Sequence, residues 1–187
     1  IKKLQSLQLS IPTGISIGST NKFFSSTAEQ ILDILTTFTL FEKSKLQHKY
    51  YELNISCPNT SGGSPFTTPE RLKQLMSAFD KLHIARPVYV KMPIDQPEEI
   101  TVALLEVLNA STVSGVIFGN LTKDKANPAV TSNDRKQWQL RQGNLSGKPT
   151  WERSNACIAL TKKHFGKRFT IIGTGGIFSA TDALKKQ

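Results

Sequence analysis

The chain has 187 residues, of which 38% are apolar and 20% charged, and Lys plus Arg outnumber Asp plus Glu 24 to 14, a net charge of +10. That length suits one domain, residues 1–187, with a sizeable core. No apolar run approaches the roughly 18 residues of a membrane span, and the two cysteines are too few for a disulfide scaffold, so a reducing, cytoplasmic setting is expected. The basic surplus fits attraction to nucleic acid, an anionic membrane or an anionic small molecule. It is also spread along the chain without a long block, as on an ordinary solvated surface.

The opening stretch, IKKLQSLQLS, lacks both the apolar segment of a signal peptide and an initiator Met, as in a chain processed or cut from something longer. TGISIGS (13–19) predicts a first strand. In SSTAEQILDILTTF, Ser26 and Glu29 are spaced as a capping box, and Ile31, Ile34, Leu35, Phe38 and Phe41 share one helical face. YYELNIS (50–56) alternates apolar and polar residues as a strand does, and Pro58 stops it. TTPERLKQLMSAF sets Thr68 as N-cap and Pro69 at the first helical position, with Leu72, Leu75, Met76 and Phe79 as its stripe. PVYVKMP (87–93) predicts a third strand. QPEEITVALLEVL predicts a helix with Ile100, Leu104, Val107 and Leu108 inward. VSGVIFGN (113–120) and FTIIGTGG (169–176) predict two more strands, the last before a helix capped by Ser179. Strands alternating with helices predict β/α units with parallel strands.

The unusual residues collect where these strands end, in NISCPNT, KMP, GNLT and GTGG. In α/β barrels and open α/β sheets, ligands bind at that carboxyl edge. Cys57 stands at such an exit as either a packed thiol or a proton-transfer group, since an unperturbed thiol titrates at about 8.5. The scattered histidines, His48, His83 and His164, show no metal-binding spacing. Asn54, Asn59 and Asn120 offer paired donors and acceptors, suited to a planar ligand with alternating C=O and N–H groups, or to turn chemistry. Lys91, among apolar neighbours, wants an anionic or electron-rich partner unless it lies on a wetter part of the strand. Ser146 and Gly147, in GNLSGKP, could donate to a ligand or simply enter a helix. Gly173, Gly175 and Gly176 allow close approach of a phosphate or a tight turn; the run is not a dinucleotide fingerprint.

Together, LNISCPNT, YVKMP, GVIFGN, GNLSGKP and IIGTGGI resemble the dihydroorotate dehydrogenase family, in its order and from about Gly14 to Leu184. The resemblance implies a (β/α)8 TIM-type barrel binding FMN at its carboxyl face, and oxidation of dihydroorotate to orotate in de novo pyrimidine biosynthesis. It places Cys57 on the catalytic base and Asn54, Asn59 and Asn120 on substrate-binding asparagines. Lys91, Ser146, Gly147, Gly175 and Gly176 fall on flavin-contacting positions, with the glycine pair near the phosphate. The implied partner is a small molecule rather than nucleic acid, and a homodimer stays open.

Some positions depart from the family pattern. Leu121 follows Asn120 where a Ser or Thr is usual, and Ser16 stands where membrane-associated members commonly carry Asn. A cysteine base and IIGTGGI resemble the soluble class; LSGKP resembles the membrane-associated class, whose base is a serine. The acceptor therefore stays open among fumarate, NAD through a partner, and quinone. About five units of the barrel, strands three to seven, are expected here, so the chain is a fragment of a longer enzyme or an incomplete, inactive barrel. Dihydrouridine synthases, flavin enzymes acting on tRNA, are a second resemblance through a cysteine after a strand-end N-x-G-C-P, but Ser56 replaces that glycine. A non-catalytic barrel fragment is the third alternative.

Overall fold

The protein, seen here as a computed structural model, is described at residues 1–6, 11–57, 65–140 and 143–187. Strands β1 (Gly14–Gly18), β2 (Tyr50–Asn54), β3 (Val88–Met92), β4 (Gly115–Phe118) and β5 (Thr170–Gly173) form a five-stranded, fully parallel sheet. The helices are α1 (Lys2–Gln5), α2 (Thr27–Glu42), α3 (Pro69–Phe79), α4 (Glu98–Asn109), α5 (Ser132–Leu140), α6 (Trp151–Phe165) and α7 (Ala180–Lys185). The strand order is β1-β2-β3-β4-β5, without reversal. A doubly wound sheet reverses its order and carries helices on both faces. Here α2 packs on α3, α3 on α4 and α4 on α6, in one layer. Sequential winding of this kind is the wall of a β/α barrel. The chain is a partial barrel, an open sheet of five strands.

The two faces differ because side chains alternate along each strand. Tyr51, Leu53, Val88, Val90 and Met92 are buried under the helices. They share one core with Ile34 and Phe38 of α2, the whole predicted stripe of α3, and Leu104, Leu105 and Leu108 of α4. Phe38 is fully buried, its ring 5.1 Å from that of Tyr51 and 5.0 Å from that of Phe79. The α4 stripe is turned from the predicted one: Thr101 and Leu105 are buried, whereas Ile100 and Val107 only flank the core. The opposite face is polar. The register sets Ser16, Glu52 and Tyr89 in one row and Gly18, Asn54 and Lys91 in the next.

The capping box at Ser26 forms, its side chain accepting from the Glu29 amide, and Ser179 caps α7 in the same way. β2 ends at Asn54 rather than Ser56, since the Ser56 amide donates to Asn54 Oδ1 at 3.2 Å. Helix α5 has no counterpart among the predicted elements; SNDRKQWQL carries no apolar stripe.

At the amino edge of the sheet, the Glu42 carboxylate accepts from Tyr51 Oη at 2.7 Å and pairs with Arg86 at 2.8 Å. Arg86 Nε also donates to the His48 carbonyl at 3.0 Å. The His48 ring is buried 4.5 Å from that of Tyr51, and neither of its nitrogens has a hydrogen-bond partner among the described residues. Burial, then the Arg86 charge, holds this imidazole below its ordinary value of 6.5.

Candidate active site

Asn54 is the last residue of β2 and Lys91 its register partner on β3, both half-buried on the polar face. Lys91 makes no side-chain hydrogen bond or ion pair among the described residues. Asn120 lies just beyond β4. Its Nδ2 donates to the Ser56 carbonyl at 2.8 Å and to the Ser56 hydroxyl oxygen, while its Oδ1 accepts from the Leu121 amide at 2.8 Å. Ser56 also donates to Asn54 Oδ1 through its amide at 3.2 Å and its hydroxyl at 3.4 Å. Ser56 is 4% exposed and sits between the two carboxamides. The next residue, Cys57, is a half-buried free thiol. Asn59 lies outside the described residues. A cavity of ≈ 360 Å³ opens beside this cluster, lined by Ser56, Thr67, Asp95, Asn120 and Lys123 among others.

Where a Ser or Thr is usual in the resemblance, Leu121 contributes its backbone amide to Asn120. The hydroxyl one position on, Thr122, is buried and engaged by Asp95 Oδ1 at 3.0 Å. Asp95 also accepts from the Lys123 amide at 2.6 Å, so the β3 and β4 exits are clamped together.

The loop carrying Ser146 and Gly147 reaches the same edge. Thr122 and Leu145 exchange backbone hydrogen bonds of 2.7 and 3.1 Å. Thr150 Oγ1 donates to the Gly147 carbonyl at 2.8 Å, and Gly147 has φ +80. After β5, Thr174 donates its amide to Phe118 at 2.7 Å, and Gly175 and Gly176 follow with φ +82 and +73. A Cβ on Gly175 would collide with Thr150 Oγ1; one on Gly176 would meet Trp151 Cβ at 2.8 Å. Glycine is thus required here by the left-handed backbone and by packing on the start of α6. The missing side chains would point into the protein, which accounts for glycine at both positions. The five candidate cofactor residues are Lys91, Ser146, Gly147, Gly175 and Gly176. Of the five, Gly176 alone lines the ≈ 760 Å³ cavity formed with Lys148, Trp151 and Phe178.

The second cysteine takes no part. Cys157 is buried in the core, and burial pushes its thiol up to about 11. Among the described residues no His, Cys, Asp or Glu cluster could hold a metal ion. No described helix is long and apolar enough to cross a membrane.

The family model described as Dihydroorotate dehydrogenase matches residues 2–187. The chain belongs to the dihydroorotate dehydrogenase family. It is 33% identical over 181 residues to a dihydroorotate dehydrogenase (quinone) of Sinorhizobium medicae, covering 92% of this chain and 47% of that protein. A protein of the same name from a Cyanothece species is 30% identical over 179 residues, covering 94% of this chain and 46% of its own length. The crystal structure of DHODH in complex with ferulenol from Eimeria tenella superposes with a TM-score of 0.74 at 20% identity, over 97% of this chain and 50% of that one. The chain therefore spans about half the length of the dihydroorotate dehydrogenases it matches, and shares the fold of half of one. Of the two flavin-enzyme resemblances in the sequence, membership falls on the first. Ser56, which links the two asparagines, escapes sequence reasoning because its partner Asn120 is 64 residues away.

Proposed function

We propose that this chain carries the catalytic edge of an FMN-dependent dihydroorotate dehydrogenase serving pyrimidine biosynthesis. The observation that supports this most directly is the grouping of Asn54, Lys91, Asn120 and Cys57 at the carboxyl ends of β2, β3 and β4. The donor set suits a flavin. Among the described residues Lys91 is a cation without an ion-pair partner on the polar face, and the amides of Gly175 and Gly176 donate to no described backbone group. Lys91 would meet the ring system, and Ser146, Gly147, Gly175 and Gly176 the remaining polar edges and phosphate. When bound, the flavin supplies the acceptor for the hydride leaving C6 of the substrate.

In this reading Asn54, Asn59 and Asn120 hold the ring of dihydroorotate through its alternating C=O and N–H groups. Cys57, delivered by the end of β2, removes the proton from C5 as general base. Quinone is the proposed electron acceptor, on the names of the curated relatives, and a cytoplasmic setting is part of the same reading. The cysteine at position 57 is then an exception within a class whose base is otherwise a serine. The test is anaerobic mixing of the purified flavoprotein with dihydroorotate, with and without a soluble quinone. Bleaching at the flavin absorbance and its return on adding quinone are expected. A protein that holds flavin but is not bleached by dihydroorotate overturns the reading.

A further inference from the structure

We infer that Ser56 is a positioning residue, which acts through Asn120 to set the orientation of a substrate-binding carboxamide; this rests on the dihydroorotate reading above. Ser56 follows β2 directly and is 4% exposed. Its amide and hydroxyl both donate to Asn54 Oδ1, at 3.2 and 3.4 Å. In return its carbonyl, at 2.8 Å, and its hydroxyl oxygen accept from Asn120 Nδ2. The hydroxyl therefore joins two amides that arrive from strands not adjacent in the sheet, β2 and β4. An Asn side chain can present oxygen or nitrogen on either side. With Nδ2 held by Ser56 and Oδ1 by the Leu121 amide, Asn120 is restricted to one orientation. With both Nδ2 hydrogens given to Ser56, the second Oδ1 lone pair is left in a fixed direction, free to accept from a ligand N–H. A glycine here, as in the second resemblance, would keep the carbonyl contact and lose the hydroxyl link.

Two measurements on the flavin-loaded protein test this. In ¹⁵N-labelled protein, the Asn120 side-chain NH₂ pair, assigned through Asn120→Asp, should show slowed hydrogen exchange. That protection should fall in Ser56→Ala and return in Ser56→Thr. Unchanged protection in Ser56→Ala overturns the anchoring whatever the activity. In flavin bleaching by dihydroorotate, Ser56→Ala should raise the half-saturating concentration up to about tenfold, the range one hydrogen bond covers. The pH dependence of the bleaching rate should stay as in the wild type, because the hydroxyl acts on Asn120 and not on Cys57. Ser56→Ala should cost less in the Asn120→Ala background than in the wild type, since residues acting as a unit are non-additive, the remainder coming from its bond to Asn54. Additive losses would overturn the positioning role. A wild-type protein that dihydroorotate does not bleach would sink the functional reading, while the exchange measurement still judges the anchor.

Discussion

Asn54 on β2 and Lys91 on β3 are register partners, so their side chains leave the same face of the sheet side by side. Position 54 is also where the strand stops pairing and the chain turns toward Cys57. One parallel register thus sets a cation, a carboxamide and the thiol at a common edge.

That placement makes Cys57 the residue whose loss should cost most in rate. Cys57→Ala is expected to slow flavin reduction by dihydroorotate by ~10²–10⁴-fold, the usual worth of general-base assistance, with the flavin still bound. Cys57→Ser should retain part of the rate and need a higher pH, because a hydroxyl is a weaker acid than a thiol. Anaerobic stopped-flow against pH reads both; a wild-type rate in Cys57→Ala removes the thiol from the mechanism.

The glycines of the two loops should separate by experiment. Gly176→Ala places a Cβ 2.8 Å from Trp151 Cβ at φ +73 and should destabilise the fold by more than about 1 kcal/mol. Gly147→Ala meets only a Phe178 ring carbon, at 3.5 Å, so its cost is that of a positive-φ, extended backbone that glycine alone adopts readily, roughly 1–3 kcal/mol. Gly147 is the cleaner probe of flavin retention. Melting temperature and flavin content per chain are the measurements, and a Gly176→Ala protein as stable as wild type would contradict the packing argument.

His48 should make stability depend on pH. Its folded pKa lies below 6.5, by burial first and by Arg86 second, so the unfolded chain takes up a proton that the folded protein refuses. Stability from this group is complete above pH 6.5 and declines as pH falls below it. Burial opposes ionisation of Glu42, but hydrogen bonds from Tyr51, Ala85 and Arg86 outweigh it and hold the carboxyl below 4.5, so Glu42 stays ionised through this window. Urea midpoints between about pH 8 and pH 5 should fall for wild type and flatten for His48→Phe. Equal slopes in the two proteins would clear His48 of the effect.

Phe38 joins α2 to both the sheet and α3 through its contacts with Tyr51 and Phe79. Phe38→Ala should cost about 3–5 kcal/mol, as lost burial plus the cavity left behind. Denaturant unfolding measures it; a loss below about 1 kcal/mol would mean that the surrounding rings collapse into the space.

Local patterns carried the architecture in the sequence. The alternation in YYELN and VYVKM, the stripe of α3 and the caps at Ser26 and Ser179 each follow from a few neighbouring residues, and each appears as an element in the fold. The residues at strand exits were equally legible, because Pro, Gly, Asn and Cys interrupt apolar runs there. Helix α5 was not, since a polar helix leaves no apolar period to detect.

What only the tertiary structure decided are relations between distant segments. That Tyr51 lies under the helices while Asn54 and Lys91 share the polar face follows from pairing of separate strands. That Ser56 binds Asn120 follows from β2 and β4 ending at the same edge, 64 residues apart in the chain. That side chains at 175 and 176 would meet Thr150 and Trp151 follows from the packing of the β5 exit on the start of α6. A strand or helix is specified by hydrogen bonds and periodicity within a short window, whereas the surroundings of a side chain depend on which other elements the hydrophobic core draws against it.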